Sequence, residues 1–372
     1  MTSVTVQDYY NYEPDQSIYG DVLNACGASI GVKIQRDIVP GASYIPKVLQ
    51  EGSSHTLPDV LMLDNPDVQH IASTGALAPL SQFGLSASGS VAGVVAASTY
   101  QGQLYGLQPV ANTIALFYNK DALSKAGVTQ PTTWAELQTA AKKLVSGSQY
   151  GIAFAAPATG EATWTFLPFM WSNGGDEKDI ATQQTADALQ QWVDLVKDGA
   201  ASKSVLTWTQ GDVLDQFKAG KAAMMINGPW QLPALNAVKG LNYGVVPIPA
   251  PAAGKPTIGP LGGETWTVPN TGNADREAAA AKIVACLYSD QNQLSLASKR
   301  QTVPTKTALQ AQFIAANPSM TTFSGLVTAA RSRTGELGAN WPATETQIAN
   351  AIQTALTGQA APLKALQTAQ HG

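Results

Sequence analysis

The segment DVLMLD, residues 59–64, constrains the fold more than any other. Its interior is apolar at every position, so a strand built from it has no face that suits water. A strand of this kind needs cover on both faces, which parallel sheets obtain from helices. The preceding chain supplies the partners. VTVQDY (4–9) reads as a strand, and Ser17 to about Ser29 as a helix with Ile18, Val22 and Cys26 on one face. GVKIQRDIV is the next strand, and YIPKVLQEG a short helix stopped by Gly52. The order βαβαβ predicts an α/β lobe. Open α/β sheets meet ligands beyond the carboxyl ends of their strands. Those ends carry Tyr10, Asn11, Tyr12 and Glu13 after the first strand, and Asp64, Asn65 and Pro66 after the third.

Strand character then persists from about Leu104 to Tyr118, too long for one strand of the usual five or six residues. Pro109 interrupts it, so two strands in series joined near Val110–Asn112 are expected, with the chain passing there from one sheet to another. Thr133 and Glu136 form a capping box ahead of a helix whose apolar face holds Trp134, Leu137, Ala141 and Leu144. YGIAFAA is a strand. ADALQQWVDLVKDG is a helix with Leu189, Trp192, Val193 and Val196 inward, and GDVLDQFKAG a shorter one. The apolar strand AAMMI follows and stops at Asn227–Gly228–Pro229, with Trp230 directly after. YGVVPIPAP is a strand running into a proline-rich loop. A single helix is expected from about Arg276 to Ser298, a break at RQTVPTK, and a helical last hundred residues ending in a helix marked by Ile348, Ile352, Ala355 and Leu356.

Composition removes several functions. Lys and Arg total 22 against 26 Asp and Glu, a net charge of -4, which argues against nucleic acid and against a polybasic membrane patch. Charged residues are only 13% of the chain, so neutral polar groups solvate most of the surface. No stretch reaches the roughly 18 apolar residues of a membrane span. The opening MTSVTVQDYY lacks the basic segment and apolar core of a signal peptide. The protein is therefore cytoplasmic, or its export signal has been removed. Cys26 and Cys286 read either as buried thiols or as one disulfide. His55, His70 and His371 form no metal-ligand pattern with them, and neither a metal nor a cofactor is expected.

Enzyme signatures are sparse. No phosphate-binding loop and no Gly-x-Ser-x-Gly elbow is present, and GPLGG has the wrong spacing. Asp64 and Glu264 could act as a glycosidase pair, but ionised carboxylates serve a binder equally well by accepting hydrogen bonds from sugar hydroxyls. The aromatic distribution favours binding. Trp164, Trp171, Trp208, Trp230, Trp266 and Trp341 lie in or beside turn-rich stretches rather than in helical stripes. Indole offers a flat apolar face and one N–H donor, the complement of a sugar ring with apolar C–H faces and a polar rim. Each such residue could instead anchor a loop to the core.

Three segments carry a family likeness: LPDVLMLDNPDVQHIASTGALAPL, GQLYGLQPVANTIALFYNKDALSKAGVTQPTTWAELQTAAKKL, and FKAGKAAMMINGPW with TVPTK further on. With them the chain resembles the family 1 extracellular solute-binding proteins, the maltose-binding-protein-like receptors of ABC import systems, over nearly its whole length. The resemblance implies a two-lobed α/β periplasmic-binding-protein fold of type II, with two discontinuous domains joined by a hinge. One lobe would take 1–109 plus 265–315 and the other 110–264 plus 316–372, with crossings near 110–112, 262–266 and 310–320. It puts both cysteines in one lobe, and an exported setting permits a disulfide.

The resemblance also assigns roles. Trp230 matches the family's cleft aromatic and would stack on the ligand. Asp64, with Asn65, matches a hydrogen-bonding position, and Tyr12 and Glu13 occupy a usual contact loop. Asn112, Gly263 and Glu264 lie at the crossings, where small residues let backbone approach a ligand. Trp164, Trp171, Trp266 and Trp341 join the set as further aromatics. Arg331 and Arg333 lie in a helix-like segment, one of them reaching the cleft and the other solvated. The loop YYNYEPDQ departs from typical maltose binders. The expected function is capture of a mono- or oligosaccharide between the lobes and delivery to the transmembrane permease subunits of an ABC importer. The protein would act as a non-enzymatic monomer, extracellular or periplasmic, with a lipid anchor as one option. The alternatives are a secreted glycoside hydrolase, or a receptor for a polyamine or glycerol phosphate.

Overall fold

DVLMLD becomes strand Val60–Asp64, with its first four residues buried. The architecture comes from a computed structural model that describes residues 2–335 and 337–371. Nine strands make the two main sheets among the described residues: β1 (Ser3–Asp8), β2 (Lys33–Ile38), β3 (Val60–Asp64), β4 (Gly106–Leu107), β5 (Ala115–Asn119), β6 (Tyr150–Ala153), β7 (Ala222–Asn227), β8 (Tyr243–Val246) and β9 (Glu264–Thr267). The chain divides into two compact units. The first is Met1–Asn112, Leu261–Thr328 and Ser332–Trp341; the second is Thr113–Pro260, Ala329–Arg331 and Pro342–Gly372.

The sheet of the first unit has the order β2-β1-β3-β9-β4. β1 runs parallel to β2 and β3, and β9 runs antiparallel to β3 and β4. The parallel strands follow from the helices between them, Asp15–Ser29 and Gly41–Ser54. Val4, Val6, Leu61, Leu63 and Trp266 are fully buried in its core. The second helix is fixed to the sheet by the Tyr44 hydroxyl, 2.6 Å from the Met62 carbonyl and 2.9 Å from that of Gln7. Cys26 and Cys286 form a disulfide between helices Asp15–Ser29 and Ala274–Leu287, with Cα atoms 5.8 Å apart.

The second unit has a sheet of order β8-β5-β7-β6, in which β5 is antiparallel to β7 and β8, and β7 is parallel to β6. All six residues of β7 are buried, as an apolar AAMMI run in a covered sheet requires. Helix Trp134–Lys143 opens with the capping box of Thr133 and Glu136, and Gln210–Lys218 opens with a second box, Thr209 and Asp212. Trp192, on helix Gln183–Lys197, is enclosed by the rings of Phe154, Phe166 and Phe169.

Several local expectations are corrected. The helix expected over 276–298 is two helices, Ala274–Leu287 and Asp290–Arg300, because the Ser289 hydroxyl accepts from Asn292 N and caps a new start. Trp164 and Trp171 are not in turns but inside helix Gly160–Ser172. Every residue from Ala162 to Trp171 is buried, so that helix shows no amphipathic stripe to read. Trp341 likewise begins helix Trp341–Leu356. Arg331 and Arg333 lie outside any helix, and the Arg331 backbone bridges to Pro260. The run 104–118 holds four strand pieces rather than two: the end of Gln103–Leu104, which pairs with Thr99–Tyr100, then β4, Val110–Ala111 paired with Val303–Pro304, and β5. His371 ends helix Pro362–His371.

Candidate functional site

In the first unit the chemistry gathers where β1 and β3 end and β9 begins. β1 ends on Asp8, fully buried, whose carboxylate takes both Nε and Nη2 of Arg36 (2.5 and 2.8 Å) and the backbone N–H of Tyr10 (2.9 Å). This fixes the exit of the loop that carries Tyr9, Tyr10 and Tyr12. The register of β3 and β9 sets Asp64 opposite Glu264. Directly opposed like charges are unfavourable in a sheet, and each carboxylate has its own arginine. Arg333 Nη2 donates to Asp64 Oδ1 (2.6 Å) and to Asn65 Oδ1 (3.1 Å). Arg300 Nη1 donates to Glu264 Oε2 (3.2 Å).

Arg300 is the hub of this end. Its Nε and Nη2 hold both oxygens of Asp15 at 3.0 Å, and its Nη1 also donates to the Tyr19 hydroxyl at 3.0 Å. Its guanidinium lies over the rings of Tyr10 and Tyr19, 4.8 and 4.9 Å from their centroids, and those rings stack on each other at 4.3 Å. The Tyr9 hydroxyl donates to the other oxygen of Glu264, Oε1, at 3.1 Å. Burial first, then the neighbouring carboxylates Glu264 and Asp64, pushes the Tyr9 phenol well above its usual value, so it stays a donor at neutral pH. Gln108 completes the floor: its Nε2 donates to the carbonyls of Val110 and Gly262, and its Oε1 accepts from Asn65 Nδ2.

The remaining candidates of this unit are placed as follows. Tyr12 is 57% exposed and Glu13 is exposed, its carboxylate accepting from Ser17. Asp64 keeps a third of its side chain exposed, and its Oδ2 accepts nothing from the described residues. Asn112 is buried and exchanges two backbone hydrogen bonds with Gly262. Gly263 has φ +123°, and a Cβ there would lie 2.3 Å from Gln108 Nε2 and 2.6 Å from the Val110 carbonyl oxygen. Its smallness thus serves the packing of its own unit. Trp266 is 0% exposed, beside Tyr19, and Trp341 is 1% exposed.

In the second unit Trp171, buried, donates from its indole nitrogen to Glu177 Oε2 (2.9 Å). Arg331 lies over the same indole, 4.8 Å from the ring centroid, and donates to Glu177 (2.8 Å) and Asp176 (2.9 Å). Burial opposes the charge of Arg331, but Asp176 and Glu177 outweigh it and raise its pKa. Trp164 is 7% exposed within its helix. Trp230 differs from these indoles. It is half-buried, in the short turn Pro229–Gln231 beyond the end of β7. Asn227 holds that turn: its Oδ1 accepts from Gly228 N (3.0 Å) and Gln231 Nε2 (3.3 Å), and its Nδ2 donates to the Gln210 carbonyl (2.9 Å).

The sequence reading put one of the two arginines in solvent; instead Arg331 and Arg333 are both ion-paired. It passed over Arg300, Asp15, Tyr9 and Tyr19, and named Tyr10 only as a residue at the end of the first strand. No local signal marked Arg300, since a cation in the last turn of a helix is ordinary. Among the described residues no helix is long and apolar enough to cross a membrane, and no group of three or more His, Cys, Asp or Glu could hold a metal.

Known proteins resemble this chain in sequence and in fold. The maltooligosaccharide ABC transporter solute-binding lipoprotein of Streptococcus pneumoniae serotype 4 is 26% identical over 334 residues, 84% of this chain and 75% of that protein. The galactooligosaccharide-binding protein of Bacillus subtilis strain 168 is 26% identical over 363 residues, 94% of this chain and 84% of that protein. The crystal structure of the GacH receptor of Streptomyces glaucescens GLA.O, solved unliganded and with acarbose and an acarbose homolog, superposes with a TM-score of 0.84 at 28% identity. That match covers 99% of this chain and 97% of the receptor, so the fold is the solute-binding one that the resemblance implies. The sequence pattern of the family described as bacterial extracellular solute-binding protein runs through residues 21–322. The chain is a member of the bacterial extracellular solute-binding protein family.

Proposed function

We propose that the protein binds a neutral carbohydrate and hands it to the membrane subunits of an ABC importer, without changing it. The observation that carries this reading is the charge balance of the candidate groups. Asp64 pairs with Arg333, Glu264 and Asp15 with Arg300, and Arg331 with Asp176 and Glu177. A polyamine receptor needs carboxylates left over to meet ammonium groups, and a phosphate receptor needs uncommitted arginine or helix N-termini. Groups already paired suit a ligand with many hydroxyls and no charge. Such a ligand donates to the open oxygen of a carboxylate like Asp64 and lays an apolar ring face on indole. The half-buried Trp230 and the exposed Tyr12 supply aromatic surface of that kind. The relatives named for maltooligosaccharides and galactooligosaccharides support the same class.

The same pairing speaks against hydrolysis. A glycosidase needs one carboxyl holding a proton for the leaving group. Both oxygens of Glu264 accept from protein donors, Tyr9 and Arg300, which commits this carboxylate to the sheet end rather than to a substrate.

A thermal-shift screen over mono- and disaccharides, maltodextrins, galactooligosaccharides, polyamines and glycerol phosphate tests the reading, with chromatography of each sugar afterwards. Stabilisation by one or more sugars, recovered intact, is expected. A shift with polyamine or glycerol phosphate alone, or a shortened saccharide, defeats it.

A further inference from the structure

The geometry assigns Gly228 the role of a positioning residue for Trp230, an inference that rests on the carbohydrate reading for its effect on binding. Gly228 has φ −107° and ψ 173°, an extended backbone open to any residue. Its conformation therefore does not call for glycine. The indole does. A Cβ at Gly228 would lie 2.0 Å from Cζ3, 2.1 Å from Cη2 and 2.4 Å from Cε3 of Trp230. The six-membered ring is thus seated on the Cα of the residue two places before it, at a distance no side chain allows.

The backbone around this seat is held independently of the ring. Asn227 binds Gly228 N and the Gln231 side chain, Gln231 N donates to the Gly228 carbonyl (3.2 Å), and the ring of Pro229 fixes φ between them. A methyl at position 228 would meet a clamped turn on one side and the indole on the other. The indole is the part that turns about its own side-chain bonds, so it would move. Gly228 thereby selects the side of Trp230 that is covered and the side left to meet the apolar C–H face of a sugar ring. Gly211, in helix Gln210–Lys218, and Gly240 do not share this role: neither has an atom closer than 3.6 Å to the place of a Cβ.

The test uses the full chain labelled with 5-fluorotryptophan, as wild type, G228A, W230A and G228A/W230A. Fluorine NMR of W230A identifies the Trp230 signal. G228A should move that signal further than any of the other seven indoles and weaken binding of the sugar found in the thermal-shift screen by tenfold or more. In the W230A background the added methyl should change affinity less than twofold. Should G228A fold poorly, the same pairing is read in thermal stability, where removing the ring should restore what the methyl took away. An unmoved Trp230 signal in G228A overturns the seat. So does an equal loss of affinity from the methyl with and without the indole, and a moved signal with unchanged affinity removes its bearing on binding. If no sugar binds the wild type, the carbohydrate reading falls, while the fluorine signal still decides the seat.

Discussion

Asp64 and Glu264 stand opposite each other on antiparallel strands β3 and β9, and each carboxylate is met by a different arginine, Arg333 for the first and Arg300 for the second. The two pairs differ in exposure. Asp64 is a third open, whereas Glu264 and Arg300 keep about a tenth or less. In the proposed reading the first pair would trade hydrogen bonds with a ligand, while the second holds the sheet end together.

Arg300→Met should destabilise the first unit strongly. It leaves Asp15 and Glu264 buried without their counter-ion, a change that costs roughly 3–5 kcal/mol at such sites. Urea unfolding followed by circular dichroism reads the loss. A change under about 0.5 kcal/mol, the range of ordinary surface substitutions, would show that the cluster is not held by this residue.

Asp64→Asn should act on binding rather than on the fold. The amide oxygen still accepts from Arg333, while the charge-assisted bond to a sugar hydroxyl weakens by about 1–2 kcal/mol, a roughly five- to thirtyfold loss of affinity. Isothermal titration with the sugar found by thermal shift measures it. Unchanged affinity would remove Asp64 from the contact set.

Trp230→Ala and Trp266→Ala should separate platform from core. The first should lower sugar affinity roughly tenfold or more with little change in unfolding free energy, as loss of an aromatic stacking partner predicts. Trp266 is fully enclosed, and truncation of such a ring costs about 3–5 kcal/mol. The opposite pattern in paired binding and unfolding measurements would exchange the two roles.

Alkaline pH should unfold the protein through its buried phenols. Burial raises the pKa of Tyr9, Tyr10, Tyr19 and Tyr44 well above the free value of 10.0. The folded state then holds protons that the unfolded chain releases, so the stability from these groups is intact below pH 10.0 and drains away as pH climbs toward their folded values. Absorbance at phenolate wavelengths should show these tyrosines titrating only with loss of structure. Free titration of all 11 tyrosines in a folded chain would contradict it.

Reduction should weaken the first unit. The bond between Cys26 and Cys286 closes a span of 260 residues, and a loop that long corresponds to about 5–6 kcal/mol in the chain-entropy picture. Melting with and without dithiothreitol, beside a double serine variant, gives the measure; identical transitions would mean that the bond adds nothing.

The fold was legible where short apolar runs end at turn residues and where capping residues mark helix starts. DVLMLD and AAMMIN have a single reading as covered strands, and the Thr133–Glu136 box marks a helix start without ambiguity. Helix Gly160–Ser172 was missed for the converse reason: an element buried all round has no period, and Pro168 inside it imitates a break. The outer candidates were readable as residue types at strand ends. The Arg300 cluster was not, since Asp15, Glu264 and Arg300 are joined across separations of 285 and 36 residues that only the assembled sheet reveals.

Strand β9 sits inside the first sheet, between β3 and β4, although it is encoded after the whole of 113–260. A ribosome therefore delivers the last inner strand of that sheet only after the whole sheet of the second unit has emerged. Until then the apolar edge of Val60–Asp64 has no antiparallel neighbour, the state that invites strand-to-strand aggregation. Nascent chains stalled before residue 267 should be clients for holding chaperones, and genetic dissection of this protein into sequential halves should yield an insoluble N-terminal piece.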